Sequence, residues 1–164
     1  MLKNSMKKFF GAALLLALLP GCFDFGKKKV APSLVVVNVL DKEYYDDCHI
    51  PGSIHVPMAE VMEAAQKEGW TKDTQVVVYC ANYSCTASSS VCKQLVEAGY
   101  ENACAYEAGT AGWAQAGLPV EGPAQSPYLT QENKPLEDAA QHGSIRVIST
   151  EELQTLLSTP KEAA

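Results

Sequence analysis

The sequence predicts an α/β fold, a parallel sheet flanked by helices, and three observations carry that prediction. Two short apolar runs, Leu34 to Val39 (LVVVNV) and Gln75 to Tyr79 (QVVVY), are rich in β-branched residues and too brief for helices. Such near-continuous apolar runs suit strands covered on both faces. Between Leu34 and Gly122, strand-like and helix-like segments alternate, as a crossover-connected sheet requires. A further strand-then-helix pattern, SIRVISTEELQTLL, follows at residues 144–157. With 164 residues and 47% hydrophobic content, the chain suits one domain with appendages.

The elements follow in order. Residues 22–33, with Lys27, Lys28 and Lys29, read as a tether; the domain proper spans 34–122. After the Leu34–Val39 strand, Asp41 to Asp47 suits one helical turn. Pro51-Gly52 then turns the chain into a short strand, Ser53 to Val56. Pro57 opens a helix from Met58 to Glu68, with Met58, Val61, Met62 and Ala65 on one face. The Gln75–Tyr79 strand ends at Cys80, and the loop Ala81-Asn82-Tyr83-Ser84-Cys85 leads to Thr86, a suitable N-cap for a helix that stops at Gly99. A strand at Ala103 to Tyr106, a loop at Glu107 to Gly109 and a short helix holding Trp113 complete the run. Residues 123–143 form a linker, and 144–158 supply a last strand and helix. Ser149 or Thr150 is placed to cap that helix, and Glu152 to complete a capping box.

The first residues stand apart from the fold. Lys3, Lys7 and Lys8 precede an apolar run, Phe9 to Leu19, too short to span a bilayer, and then Leu19-Pro20-Gly21-Cys22. Residues 1–21 resemble a bacterial lipoprotein signal. That resemblance implies export, a lipidated Cys22 as mature N-terminus, and a membrane-anchored place in the cell envelope; Phe23 after it resembles an outer-membrane address where the cell is Gram-negative. An ordinary secretory signal with an incidental Cys22 is the alternative. Three of the thirteen basic residues lie in this leader, so the remainder carries nine more acidic than basic groups. Arg146 is the lone arginine. No basic patch can form, which excludes nucleic acid as a partner.

Cys80 is the candidate reactive group. It stands where a central strand gives way to a loop and a helix N-terminus, so the backbone N–H groups of Ala81, Asn82, Tyr83, Ser84, Cys85 and Thr86 are expected to form an anion cradle that lowers its pKa and holds a thiolate or persulfide. With Cys22 assigned to lipid, Cys48, Cys80, Cys85, Cys92 and Cys104 remain. Five is odd, so at least one thiol is free or paired outside the chain. Cys92 and Cys104 read as small buried hydrophobes. His49, His55 and His142 do not pair with cysteines at metal spacing, so neither a metal nor a cofactor is expected. The acidic residues Glu60, Glu63 and Glu68 read as a solvated helix face.

These residues resemble the rhodanese-like family. Asp41 to Pro57 (DKEYYDDCHIPGSIHVP) looks like that family's entry motif, VVVYC like the strand ending in its catalytic cysteine, and AYEAGTAGWAQAGLPVEG like its closing motif, with Trp113, Gly117 and Pro119 matching. The resemblance implies a sulfurtransferase with Cys80 as catalytic residue, and a small sulfane-sulfur donor or a protein thiol as its partner. The strand and helix that usually open the family's fold are missing before Leu34, while their likeness, VISTEEL, lies at the other end. The expected arrangement is therefore a circular permutation, the alternative being a remnant of a second repeat. Thiosulfate-using members commonly carry an arginine or lysine in the active loop, and Ala81 to Val91 holds neither, so thiosulfate is a doubtful donor. Cys85, in a Cys-x-x-x-x-Cys loop, is expected either to attack or bridge Cys80 by thiol exchange, or to serve as structural filler, with Cys48 a possible partner. Two other functions stay open: a thiol-disulfide redox module using Cys80 with Cys85, and a binding domain without catalysis. Oxyanion chemistry of the phosphatase or arsenate reductase kind is disfavoured by the missing loop arginine.

Overall fold

Five parallel strands lie in the order β2-β1-β3-β4-β5, with β1 Leu34–Asn38, β2 Ile54–His55, β3 Gln75–Tyr79, β4 Ala103–Tyr106 and β5 Arg146–Val147. The computed structural model describes residues 31–135, 143 and 145–159. The leader, Cys22 and most of the tether lie outside the described residues. Among the described residues, five α-helices accompany the strands: α1 Lys42–Asp47, α2 Val61–Lys67, α3 Ala87–Glu97, α4 Gly109–Gln115 and α5 Thr150–Ser158. Among the described residues, no helix is long and apolar enough to cross a membrane.

The sheet is central because its apolar runs feed two cores. Side chains alternate across a strand, so Val35 and Val37 of β1 and Val76 and Val78 of β3 face one core, with Val61 and Ala65 of α2 and Val91, Cys92 and Leu95 of α3. Val36, Val77 and Tyr79 face the other, with Tyr106, Trp113 of α4 and Leu153 of α5. β3 pairs with β1 on one side and β4 on the other, so its C-terminal end is the fixed centre of the domain.

The expected elements form with local differences. Pro57 opens not one helix but a 3-10 turn, Met58–Glu60, followed by α2. The strand expected over Ser53 to Val56 pairs only through Ile54 and His55, because it lies at the sheet edge. The linker is not a bare crossing: Pro127–Leu129 makes a 3-10 turn with Leu129 buried. Asp47 accepts the Gln125 and Ser126 amides at 2.9 and 2.8 Å, fixing the linker's start beside α1.

The C-terminal segment belongs to the sheet. β5 runs parallel to β4, with Cys104 opposite Arg146 and Ala105 opposite Val147, and the Ile148 amide donates to the Ala105 carbonyl at 3.0 Å. Ser149 caps α5 by accepting the Glu152 amide at 3.2 Å. The reciprocal half of the capping box does not form, because the Glu152 carboxylate pairs instead with Arg146. Leu153 is fully buried, and Tyr106 and Thr150 share a hydroxyl hydrogen bond of 2.8 Å. Replacing a buried leucine by alanine typically costs about 2–5 kcal/mol, so Leu153→Ala should lower urea stability by that amount. Unfolding indistinguishable from wild type would mean that α5 does not seal the second core.

Candidate functional site

Cys80 follows the last residue of β3, and its position is set by backbone contacts from α4. The Thr110 amide donates to the Cys80 carbonyl at 3.0 Å and the Ala111 amide to the Ala81 carbonyl at 2.9 Å; the Thr110 hydroxyl reaches the same Cys80 oxygen at 3.3 Å. The approach is close enough to require glycine at the start of α4. Gly109 has φ +62°, and a Cβ there would lie 2.5 Å from both the Cys80 oxygen and the Ala81 carbonyl carbon, a contact and a conformation that other residues rarely adopt.

The loop residues then fold onto themselves. Asn82 accepts the Cys85 amide through its backbone carbonyl at 3.0 Å and the Ser84 amide through its side chain at 3.1 Å, an Asx-type turn. Tyr83 packs its ring against the second core, while its amide donates to Asn133 Oδ1 at 3.0 Å. Asn133 also donates from Nδ2 to the Ala108 carbonyl at 2.8 Å. One linker side chain thus ties the active loop to the turn before α4. Thr86 sits at the N-cap of α3 without a side-chain capping bond.

These commitments redirect the expected cradle. The Tyr83, Ser84 and Cys85 amides are spent on Asn133 and Asn82, so they do not ring Cys80. The Ala87 and Ala81 amides instead favour charge on the Cys85 sulfur, and the Ser88 amide and hydroxyl favour it on Cys80. Cys80 is fully buried and Cys85 only partly so. Cys80 Sγ donates to the Cys85 carbonyl at 3.0 Å and lies 3.5 Å from the Ser88 hydroxyl.

Electrostatics follow that geometry. The sequence predicts a lowered pKa at Cys80, but its hydrogen bond to Cys85, and then burial, push it up, since a buried thiolate without charge compensation is costly. Cys85 moves the other way: the Cys80 thiol, then the Ala87 and Ala81 amides, favour its thiolate. The pair is therefore a buried thiol donating to a more accessible thiolate.

The other candidates have structural settings. The described cysteines are all free thiols, and Cys48, Cys92 and Cys104 are buried. The contact of Cys85 is with Cys80 rather than Cys48. His49 stacks on Tyr45 at 3.9 Å and contacts Glu121 at 3.1 Å, and His55 contacts the Leu40 carbonyl at 2.7 Å. Among the described residues, no group of three or more His, Cys, Asp and Glu side chains could hold a metal ion. Sequence reasoning missed Asn133, Thr110, Ser88 and the buried Glu107, which accepts from Ser89. Of these, only Ser88 carried a signal, lying one helical turn from the loop; a linker asparagine has none.

The α4 contact and the Asn133 tie give a direct expectation. Gly109→Ala should lower the melting temperature and make Cys80 reactive to iodoacetamide in the native state, whereas Asn133→Ala, losing about 1 kcal/mol, should mainly speed alkylation of Cys85. Wild-type melting with an unreactive Cys80 in Gly109→Ala would contradict the contact.

Comparison with known proteins agrees with this architecture. The rhodanese-like domain model matches residues 25–116. Thiosulfate sulfurtransferase GlpE of several Coxiella burnetii strains is 32% identical over 80 residues, covering 49% of this chain and 71% of that protein. The solution structure of the rhodanese-like domain of Alr3790 from Anabaena sp. superposes with a TM-score of 0.51 at 25% identity, over 65% of this chain and 80% of that one. The BH2092 protein from Bacillus halodurans shares the fold, with a TM-score of 0.53 at 24% identity over 61% and 72% of the two chains. With a family model spanning more than half its length, and a parallel sheet whose central strand ends in a loop cysteine, the chain belongs to the rhodanese-like domain family.

Proposed function

We propose that this chain is a membrane-anchored sulfurtransferase whose β3–α3 loop carries sulfane sulfur as a persulfide, Cys80 standing at the family's carrier position. Membership of the family and the likeness to a thiosulfate sulfurtransferase support sulfur transfer as the class of reaction. The observation that carries the reading to particular residues is the pair of contacting thiols, Cys80 and Cys85, held at the end of the central strand. A thiolate is the nucleophile such transfer needs.

The donor is a polysulfide or a protein persulfide rather than thiosulfate. No lysine or arginine occurs from Ala81 to Val91, and Glu107 is drawn against the first turns of α3 through Ser89. The sulfonate of thiosulfate therefore lacks a charge-assisted contact worth about 1.5–3 kcal/mol. Anchoring through a lipidated Cys22 rests on the leader's likeness to a lipoprotein signal, and it places the loop in the cell envelope. The position of β5 and α5 on the β4 edge supports a circularly permuted member of the family, with the usual opening strand and helix moved to the end.

A thiol-disulfide redox module is the second reading, and the direct contact of Cys80 with Cys85 favours it. The two share the same loop but differ in what is left on it.

Incubation with inorganic polysulfide should transfer sulfane sulfur to the peptide holding Cys80 and Cys85, seen as one added sulfur atom or, once that sulfur is passed on, as released sulfide. The double variant Cys80→Ser/Cys85→Ser should gain none, and thiosulfate should load the wild type at least about tenfold more slowly. Wild-type protein that neither acquires sulfur nor releases sulfide with either donor would overturn the sulfurtransferase reading.

A further inference from the structure

We infer that Cys85 receives the sulfane sulfur and Cys80 is the resolving thiol, so that the loop reduces sulfane sulfur to hydrogen sulfide and is left as a Cys80–Cys85 disulfide. This rests on the loop being a sulfur-accepting site, and it changes which sulfur is attacked first and what product leaves.

Three geometric facts assign the order. Cys80 is fully buried beneath the loop and Cys85 is partly open to solvent, so a donor meets Cys85 first. The amides of Ala87 and Ala81 favour charge on the Cys85 sulfur, while Cys80 is offered the Ser88 amide and hydroxyl and the amides of Tyr83, Ser84 and Cys85 are bonded elsewhere. The Cys80 thiol donates to the Cys85 carbonyl at 3.0 Å. A proton therefore already sits on the buried partner, in position to move outward.

The chemistry closes without a stranded charge. In the first step the Cys85 thiolate attacks the outer sulfur of a donor persulfide, R–S–SH. The donor's S–S bond breaks, R–S⁻ leaves with the electron pair, and Cys85 carries –S–SH. In the second step the Cys80 sulfur attacks the Cys85 sulfur and displaces the terminal one, while the Cys80 proton passes to the departing group. Hydrogen sulfide leaves, the two cysteine sulfurs are oxidised to a disulfide, and the sulfane sulfur is reduced. Storing an anionic persulfide on Cys80 instead would place a charge at a fully buried position, whereas a neutral disulfide is well suited to that site. A dithiol reductant resets the pair by thiol-disulfide exchange.

Polysulfide is the probe, since it is small and presents a sulfane sulfur directly to an attacking thiolate. In single turnover without reductant, wild type should release sulfide and form the Cys80–Cys85 disulfide. Cys80→Ser should trap the added sulfur on Cys85 with sulfide release below one tenth of wild type, and Cys85→Ser should leave Cys80 unloaded. Blocking Cys85 with iodoacetamide on the folded wild type repeats the last test without a substitution that affects folding. Cys80 loading at the wild-type rate in Cys85→Ser, together with no sulfur on Cys85 in Cys80→Ser, would overturn the order while leaving sulfur transfer by the loop intact. Wild type that neither retains sulfur nor releases sulfide would instead remove the sulfurtransferase reading itself, and this inference with it.

Discussion

The close backbone approach of Gly109 to Cys80 and Ala81 is the constraint on which the site depends. β3 ends in the middle of the sheet, between β1 and β4, and its carbonyls would be left unpaired where the chain turns away from the ladder. Buried carbonyls need donors, and the Thr110 and Ala111 amides at the start of α4 supply them. Because those amides reach the loop only where no Cβ intervenes, a glycine with positive φ fixes the loop's first turn. Everything after Ala81 then has to fold outward from a fixed point. The Asn82 turn returns the chain to bring Cys85 over Cys80, and Thr86 starts α3.

The consequence is an asymmetric pair of thiols rather than a lone nucleophile in a ring of amides. Two buried thiolates side by side would repel, and one proton shared between two sulfurs removes that cost. The proton resides on the more buried sulfur, held there by its hydrogen bond to Cys85 and then by desolvation. The partly exposed sulfur keeps the charge, helped by the Cys80 thiol and by the amides of Ala87, at the head of α3, and of Ala81, just after β3. The same environment offers no charge-assisted contact to a sulfonate such as that of thiosulfate, because no cation comes from the loop and Glu107 sits nearby through Ser89.

Much of this was legible in the sequence. The apolar runs at Leu34 and Gln75, the glycine stop at Gly99 and the capping residue Ser149 specify local structure through short-range chemistry, and they form as expected. The place of Cys80 at a strand end was readable for the same reason. Which sulfur its neighbours would favour was not, because that depends on where each amide is spent. Asn133, fifty residues from Tyr83 in sequence, takes one of the amides expected for the cradle, and a polar linker residue gives no sign of such a contact. The edge role of Arg146–Val147 was suggested by the likeness of VISTEEL to a displaced opening segment. Its register against Cys104 and Ala105 became clear only with the sheet assembled.

The distribution of charge between the two thiols is the central claim, and NMR titration of the Cys80 and Cys85 13Cβ resonances in the reduced protein tests it most directly. Cys85 should titrate well below the ordinary thiol value of about 8.5, with Cys80 unchanged across the same range and titrating only far above it. Titration of Cys80 first, with Cys85 remaining a thiol through neutral pH, would contradict the account.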